Sequence, residues 1–290
     1  MEHVIRPLNL EDYPYLEAME TGIQVDYVVR IFGQLLNGRN RLYGLFWENR
    51  LVSVCGWTLF GKSYAMIGRI RSDSRYRGKD FATQLTRFVL NEATKNEQIK
   101  WIGANTQEKN LPARRILEKI GLNVYAVNYG ATAKDISMLE NRNPPWQEVS
   151  DLARKKGWIE QLYIKTGAVF PSECYYSFPA SADLFSDEEL NEWSFYENET
   201  AARVVITKKD FKKHDFLQAI YPWDDVMEHQ GLWETISAAY QRLASEAQGE
   251  CLIWMDLTKQ AANSLPANHP FTLSSPWMLY GMPAKKEFLL

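Results

Sequence analysis

The sequence predicts an α/β chain, and three observations carry that prediction. A strand-like run, Ala65-Met66-Ile67-Gly68-Arg69-Ile70, leads through Arg77-Gly78-Lys79-Asp80-Phe81-Ala82-Thr83 into a helical stripe of Phe81, Leu85, Phe88 and Val89. A second helix opens at Asn110-Leu111-Pro112-Ala113, buries Ala113, Ile116, Leu117 and Ile120 on one face and stops at Gly121. In the second half, strand-like runs over 202–207 and 216–221 precede a helical stripe of Leu232, Ile236, Ala239, Tyr240 and Leu243, and strands return over 251–255 and 277–282.

Composition narrows the function classes. The chain has 290 residues, long enough for two domains, and its 46% hydrophobic content is that of a globular protein. A formal net charge of -3 with no Lys/Arg-rich tract argues against a nucleic-acid surface. Cys55, Cys174 and Cys251 are far apart, odd in number and without metal-ligand spacing, and the four histidines are isolated, so no metal site is expected. The cysteines read as reduced, buried thiols. With a charged and aromatic N-terminus and no apolar run long enough to span a bilayer, the expectation is a soluble cytoplasmic protein with no membrane partner.

Taken in order, residues 3–8 read as a strand. Asn9 caps a helix expected to turn Leu10, Tyr13, Leu16 and Met19 inward, and a further helix follows through Tyr27, Val28, Ile31 and Leu35. Two strand-like runs over 41–47 and 51–58 flank Glu48-Asn49-Arg50, a hairpin turn. Gly56-Trp57-Thr58-Leu59-Phe60-Gly61-Lys62-Ser63 matches the phosphate-binding pattern of nucleotide triphosphatases residue for residue. That motif needs a helix directly after its lysine. Here bulky strand formers fill the loop and 63–67 continues as a strand, so a hairpin turn at Gly61-Lys62 explains the match.

The Arg77–Thr83 stretch has a different character. The first turn of a helix leaves backbone N–H groups without internal partners, and its dipole places partial positive charge there, so an anion can dock on the main chain. Gly78 and Ala82 keep that backbone approachable, and Arg77 and Lys79 add charge at the rim. An ordinary capped helix after a surface turn is the alternative.

With both segments in view, residues 1–135 resemble the GNAT superfamily of N-acetyltransferases. Arg77-x-x-Asp80-x-Ala82 is similar to that family's acyl-CoA pyrophosphate loop, Asn110-x-x-Ala113 followed by Lys119-Ile120-Gly121-Leu122 to its second cofactor motif, and Ile5-Arg6-Pro7 with Asp12 to its usual beginning. The resemblance implies a mixed, mostly antiparallel central sheet flanked by helices. It also implies acetyl-CoA (acyl-CoA) as co-substrate, and a cofactor site made of Arg77, Gly78, Lys79, Asp80, Phe81, Ala82 and Thr83. Main-chain groups around Ile70 and Ser72 would lie along the pantetheine, and Asn110 would support the cofactor's arm. The early helical region would border the acceptor pocket, where Glu17, Glu20 and Asp26 could meet a cationic amine or lie on a solvated helix face.

Two positions depart from the family. Asp80 stands where glycine is usual; it tolerates positive φ but would repel a pyrophosphate unless it points outward, toward Arg77 or Lys79. Leu117 falls where many members carry the tyrosine that protonates the leaving thiolate. Tyr125 on the following strand is the candidate for that proton, and Glu20 for assisting deprotonation of the amine.

Beyond residue 135 the paired prolines of Asn141-Arg142-Asn143-Pro144-Pro145 suggest a linker, followed by a helix over 146–156 ending at Gly157. The expected organisation is an acyl-CoA-binding domain over 1–140, a linker and helix over 141–168, and a second α/β domain over 169–290. The element order of that second domain echoes a GNAT domain in tandem. Where its phosphate loop would lie, Trp223-Asp224-Asp225-Val226-Met227-Glu228 places three carboxylates that would repel a pyrophosphate. It is therefore either a degenerate repeat that builds the acceptor side or an interface, or an unrelated cap.

The function expected is transfer of an acetyl group from acyl-CoA to a primary amine by direct attack. The alternative is a non-catalytic acyl-CoA-sensing or protein-interaction module. Small amines, amino acids, aminoglycosides and protein N-termini all fit as acceptors, and a homodimer is open.

Overall fold

The computed structural model describes residues 3–284. Its elements follow the chain as β1 (Val4–Pro7), α1 (Tyr13–Glu17), α2 (Tyr27–Arg30), α3 (Phe32–Leu35), β2 (Asn40–Trp47), β3 (Arg50–Phe60), β4 (Tyr64–Ser72), α4 (Phe81–Thr94), β5 (Trp101–Gln107), α5 (Leu111–Lys119) and β6 (Asn123–Ala133). They continue as β7 (Gln147–Val149), α6 (Leu152–Ile159), β8 (Val169–Glu173), β9 (Tyr176–Pro179), α7 (Asp187–Glu192), β10 (Ser194–Glu197), β11 (Val204–Phe211) and β12 (Asp215–Ile220). Last come α8 (Leu232–Glu246), β13 (Cys251–Thr258), α9 (Lys259–Ser264), β14 (Thr272–Leu273) and β15 (Trp277–Pro283). The chain divides into two compact units: one runs to Tyr125 and also takes the stretch from Leu279, and the other is Ala126–Met278. Each is a mixed, mostly antiparallel sheet flanked by helices, the class the sequence predicts.

In the first unit the strands lie in the order β1-β2-β3-β4-β5-β15. The first four pair antiparallel, and β4 and β5 run parallel because α4 crosses between them. Glu48 and Asn49 both take left-handed φ, which closes the β2–β3 hairpin in the hand that matches strand twist. The triphosphatase-like stretch is a hairpin: Phe60 pairs with Tyr64 across the Gly61-Lys62 turn. On α4, Leu85, Val89 and Ala93 are fully buried, each one turn beyond the last, and they hold the helix on the sheet. Arg6 grips Asp12 through both carboxylate oxygens at 2.6 and 2.7 Å, and this joins β1 to the Asn9-capped turn that follows.

Three sequence expectations for this unit change. The Asn9 cap starts a single turn followed by the five-residue α1, so Leu16 and Met19 are buried while Leu10 is 68% exposed and Tyr13 also faces solvent. The next helix breaks at Ile31 into α2 and α3, which bury Val28, Phe32 and Leu35 and leave Tyr27 exposed. From Leu279 on, the chain's last strand, β15, belongs to the first unit, where it lies beside β5. A Cβ at Gly103 or Gly281 would come within 2.0 Å of the Trp101 ring, so that ring covers two glycines, one on β5 and one on β15.

In the second unit the order is β7-β10-β11-β12-β13-β6, with β14 beside β6. Here β12 and β13 are the parallel pair and α8 is their crossover. Trp233 and Ile236 of α8 pack with Leu217, Ala219, Ile253 and Met255 of that pair. A second core joins Tyr163, Phe170 and Trp193, with Phe170 stacked on Trp193 at 5.6 Å. The expected linker is fixed in this unit: the amides of Asn141 and Asn143 both donate to Glu234 Oε1, at 2.8 and 2.9 Å. The expected 146–156 helix instead begins with β7, starts at Leu152 under an Asp151 cap, and runs through Gly157 into a wide turn over Glu160–Ile164.

Candidate functional site

The first unit's sheet opens at one point. The parallel ladder of β4 and β5 runs from Tyr64↔Trp101 to Ile67↔Ala104 and stops there, although both strands continue. Just beyond, the register of β4 against β3 shifts between Gly68 and Arg71, and Arg69 lies at φ +58. A bulge with a left-handed residue bends its strand. It turns β4 away from β5 and leaves the edge of β4 over 68–72, including Ile70 and Ser72, facing a fork.

The loop leaving that fork is built around Asp73. Its buried carboxylate accepts the Arg75 amide at 3.0 Å and the Arg75 guanidinium at 2.9 and 2.5 Å, while its own amide donates to Val52. These hydrogen bonds from Arg75 hold the Asp73 carboxyl below the usual carboxylate range. Glu20 ion-pairs with the same Arg75 at 3.2 Å, and its carbonyl accepts the Ser74 amide. On the other side Lys79 Nζ lies 3.8 Å over the Trp47 ring, against which Tyr76 and Phe81 also pack.

Between these supports the backbone is open. Gly78 at φ +82 and Asp80 at φ +59 are both left-handed, and a Cβ at Gly78 would meet nothing within 4 Å. Asp80 makes no side-chain cap to α4, and the first bonded amide is Gln84, donating to the Asp80 carbonyl. Among the described residues the amides from Gly78 to Thr83 therefore donate to no protein acceptor. Arg77 is exposed and in no ion pair among the described residues. The expected turn of Asp80 toward Arg77 or Lys79 is not what occurs: its carboxylate bonds Thr83 and lies 3.1 Å from Lys119 Nζ, and both contacts keep its pKa down.

The remaining candidates are placed as follows. Asn110 caps α5, accepting the Ala113 amide at 3.4 Å and donating to Thr106 at 3.1 Å, so its amide orients the helix. Leu117 is fully buried. Tyr125 is 39% exposed, its ring edge-on to Trp101 at 5.6 Å, and so lies at the first ladder pair, the end away from the fork. Asp26 is tied up with Arg71 at 2.6 and 2.8 Å while capping α2, and is not free for an amine. Asp73, Arg71 and Trp47 are the supports that sequence reading missed. Only the acidic residue ahead of a basic loop hinted at one of them.

The second unit has the same strand, loop and helix order, and its helix start is shut. A Cβ on Gly231, the residue before α8, would lie 2.5 Å from the Pro144 carbonyl and 2.9 Å from the Trp146 ring. Trp146 Nε1 donates to the Gln230 carbonyl at 2.8 Å, and Glu234 occupies the first turn of the helix. Asp225 is held by Arg203, Tyr221 and His229.

Residues 26–123 match the model of the acetyltransferase (GNAT) domain. The chain is similar in fold to a GCN5-related N-acetyltransferase from Sphaerobacter thermophilus, at TM-score 0.57 and 10% identity, covering 98% of this chain and 96% of that one. It is also similar to a candidate acetyltransferase from Pyrococcus horikoshii, at TM-score 0.51 and 12% identity, covering 98% and 90%. No curated protein sequence matches. Among the described residues no group of three or more His, Cys, Asp or Glu could hold a metal ion, and no helix is long and apolar enough to cross a membrane.

Proposed function

We propose that this protein, whose residues 26–123 match the acetyltransferase (GNAT) domain model, is an N-acyltransferase, moving an acetyl or related acyl group from acyl-CoA to a primary amine. The observation that carries the proposal is the open start of α4, where the amides from Gly78 to Thr83 have no protein partner and Gly78 faces empty space. A diphosphate supplies the acceptors those amides lack, and the helix dipole with Arg77 and Lys79 adds to the attraction. The forked edge of β4 over 68–72 offers unpaired main-chain groups to an amide-bearing arm, as a neighbouring strand would.

Acyl-CoA would bring a thioester activated toward amines, and the chain's part is to position it and to handle protons. Tyr125 is the hydroxyl we assign to the leaving thiolate, although its contact with Trp101 sets it at the end of the β4–β5 ladder away from the fork. Glu20 is the carboxylate we assign to the incoming amine, with the Arg75 guanidinium 3.2 Å away. One observation favours the second reading, a sensor that binds acyl-CoA without turnover: Leu117 is buried and has no proton to give.

Calorimetric titration with acetyl-CoA and thiol release across an amine panel separate the two readings. Saturable binding with thiol release supports the transferase, binding alone supports the sensor, and no binding removes both. Tyr125→Phe is expected to lower turnover about tenfold or more while leaving acetyl-CoA affinity unchanged. Undiminished turnover would take the proton from Tyr125.

A further inference from the structure

The second unit has a cavity at the end of its parallel ladder. The β12–β13 ladder ends at Ala219↔Met255, one residue before β12 itself ends at Ile220, while β13 continues to Thr258. Beside that end lies a cavity of 380 Å³ whose lining residues all belong to this unit. Its walls include Leu162, Pro171, Tyr221 and Trp223, and its polar groups include Asp256 and Tyr163. Volumes of this size hold small ligands.

The polar groups are unusual for a structural void. Tyr163 is 2% exposed, and its hydroxyl has no hydrogen-bond partner. Asp256 accepts the Trp254 Nε1 proton at 2.9 Å and makes no ion pair among the described residues. Lys208, whose charge Asp256 feels, is directed instead to the Ser172 carbonyl and to the Trp193 ring, 4.6 Å away. Gln218, also hydrogen-bonded to Asp256, keeps its Oε1 buried without a partner. The Asp256 carboxylate and the Tyr163 hydroxyl therefore both line the cavity, and among the described residues neither is in an ion pair. Buried polar groups left this way cost stability unless something satisfies them.

We infer that the second unit carries a binding site for a small primary ammonium ion, seated in this cavity against the Asp256 carboxylate and the Tyr163 oxygen. An ammonium has three donors and one positive charge, which matches the groups left unsatisfied, while its alkyl part lies on Leu162, Pro171 and the Tyr221 and Trp223 rings. Burial pushes the Asp256 carboxyl up to about 6 against the lowering hydrogen bonds of Trp254 and Gln218 and the charge of Lys208, and burial, with the Asp256 charge adding to it, raises Tyr163. The site stands on the second unit alone and does not depend on acyl-CoA binding at the first.

The test uses the full chain, with butylamine and 1,4-diaminobutane as probes and butan-1-ol as the uncharged comparator, followed by calorimetry and by fluorescence of Trp223 and Trp254. Saturable binding of an amine is expected, with the alcohol at least about tenfold weaker. Asp256→Asn keeps the shape and is expected to weaken the amine by about tenfold or more, and Tyr163→Phe by a few fold. Acetyl-CoA affinity, measured on the same samples, should not move in either variant. Failure of both amines to saturate, equal binding of amine and alcohol, or an unchanged affinity in folded Asp256→Asn would overturn the site. Loss of acetyl-CoA binding with amine binding intact would overturn only the transferase reading.

Discussion

The loops before α4 and before α8 occupy the same place in two similar strand, loop and helix units, and they have opposite fates. Before α4 Gly78, two residues ahead of the cap, faces open space and cations rim the loop. Before α8 the cap residue Gly231 is pressed against Pro144 and Trp146, the loop is acidic, and a carboxylate lies in the first turn. Both helices follow a left-handed cap residue, Asp80 in one and Gly231 in the other, and among the described residues the first bonded amides are Gln84 and Thr235, in the fourth position of each. Left-handed geometry and unbonded amides therefore do not by themselves make an anion site; what differs is whether the chain covers the helix start and which charge it brings there.

The largest expected effect comes from giving the first loop the charge of the second. Arg77→Glu with Lys79→Glu should weaken acetyl-CoA by about 100-fold or more, roughly 3 kcal/mol, because two attractive charges become repulsive while the amides stay in place. Calorimetry reads the affinity, and a folded variant binding within about threefold of the parent would show that the amides act alone.

The reverse change tests the second loop. Glu234 accepts two backbone amides from the segment that closes α8 and is 8% exposed. Glu234→Ala leaves those donors buried without an acceptor and should cost about 2–4 kcal/mol of stability. Glu234→Gln keeps an acceptor oxygen and should restore most of it. Acetyl-CoA affinity should be unchanged in both, since on this reading the second helix start takes no diphosphate.

How much of this contrast was legible beforehand follows from what pattern can encode. The strand, loop and helix order at 65–89, the Asn110 cap and the acidic second loop are local signals, and each appears in the structure where the residues put it. The closure of α8 was not legible, because it depends on Trp146 reaching Gln230 across a long stretch of chain, and Pro144-Pro145 looked like a linker until Glu234 was seen to hold it. The return of β15 to the first unit was hidden for the same reason: a strand's pattern says that it pairs, not with which strand. The bulge at Arg69 that opens the fork carries no glycine or proline at the left-handed position itself. Two charged residues pair otherwise than expected because charges near a helix were read one element at a time: Asp26 belongs to Arg71 and Asp80 to Lys119.

Asp80 gives the next, smaller test. At φ +59 a glycine fits at no steric cost, and its exposed pairing with Lys119 is worth little. Asp80→Gly removes a negative charge from the rim of the open loop and should tighten acetyl-CoA by about three- to tenfold, up to roughly 1 kcal/mol. Weaker binding would mean that the carboxylate orders the loop through Thr83 more than it repels the ligand.

The smallest effect separates the two units by pH. Arg75 lowers the Asp73 pKa, so the stability that Asp73 contributes is present above its unfolded value of about 4 and is lost as pH falls through the folded value. Asp256 has the opposite sign. Its folded pKa is raised to about 6, so the folded protein holds that proton more tightly than the unfolded chain, and stability is lost as pH rises from about 4 through 6. Asp256→Asn should therefore raise the melting temperature by a few degrees at neutral pH, of the order of 1 kcal/mol once partial solvent access is allowed for, and should change little below about pH 4. Asp73→Asn should do the reverse, costing stability at neutral pH and progressively less in acid. Thermal melts of both variants across that range read the two slopes. If Asp256→Asn were instead destabilising at neutral pH, the carboxylate would already be satisfied within the fold, and the cavity beside it would have no need of a cation.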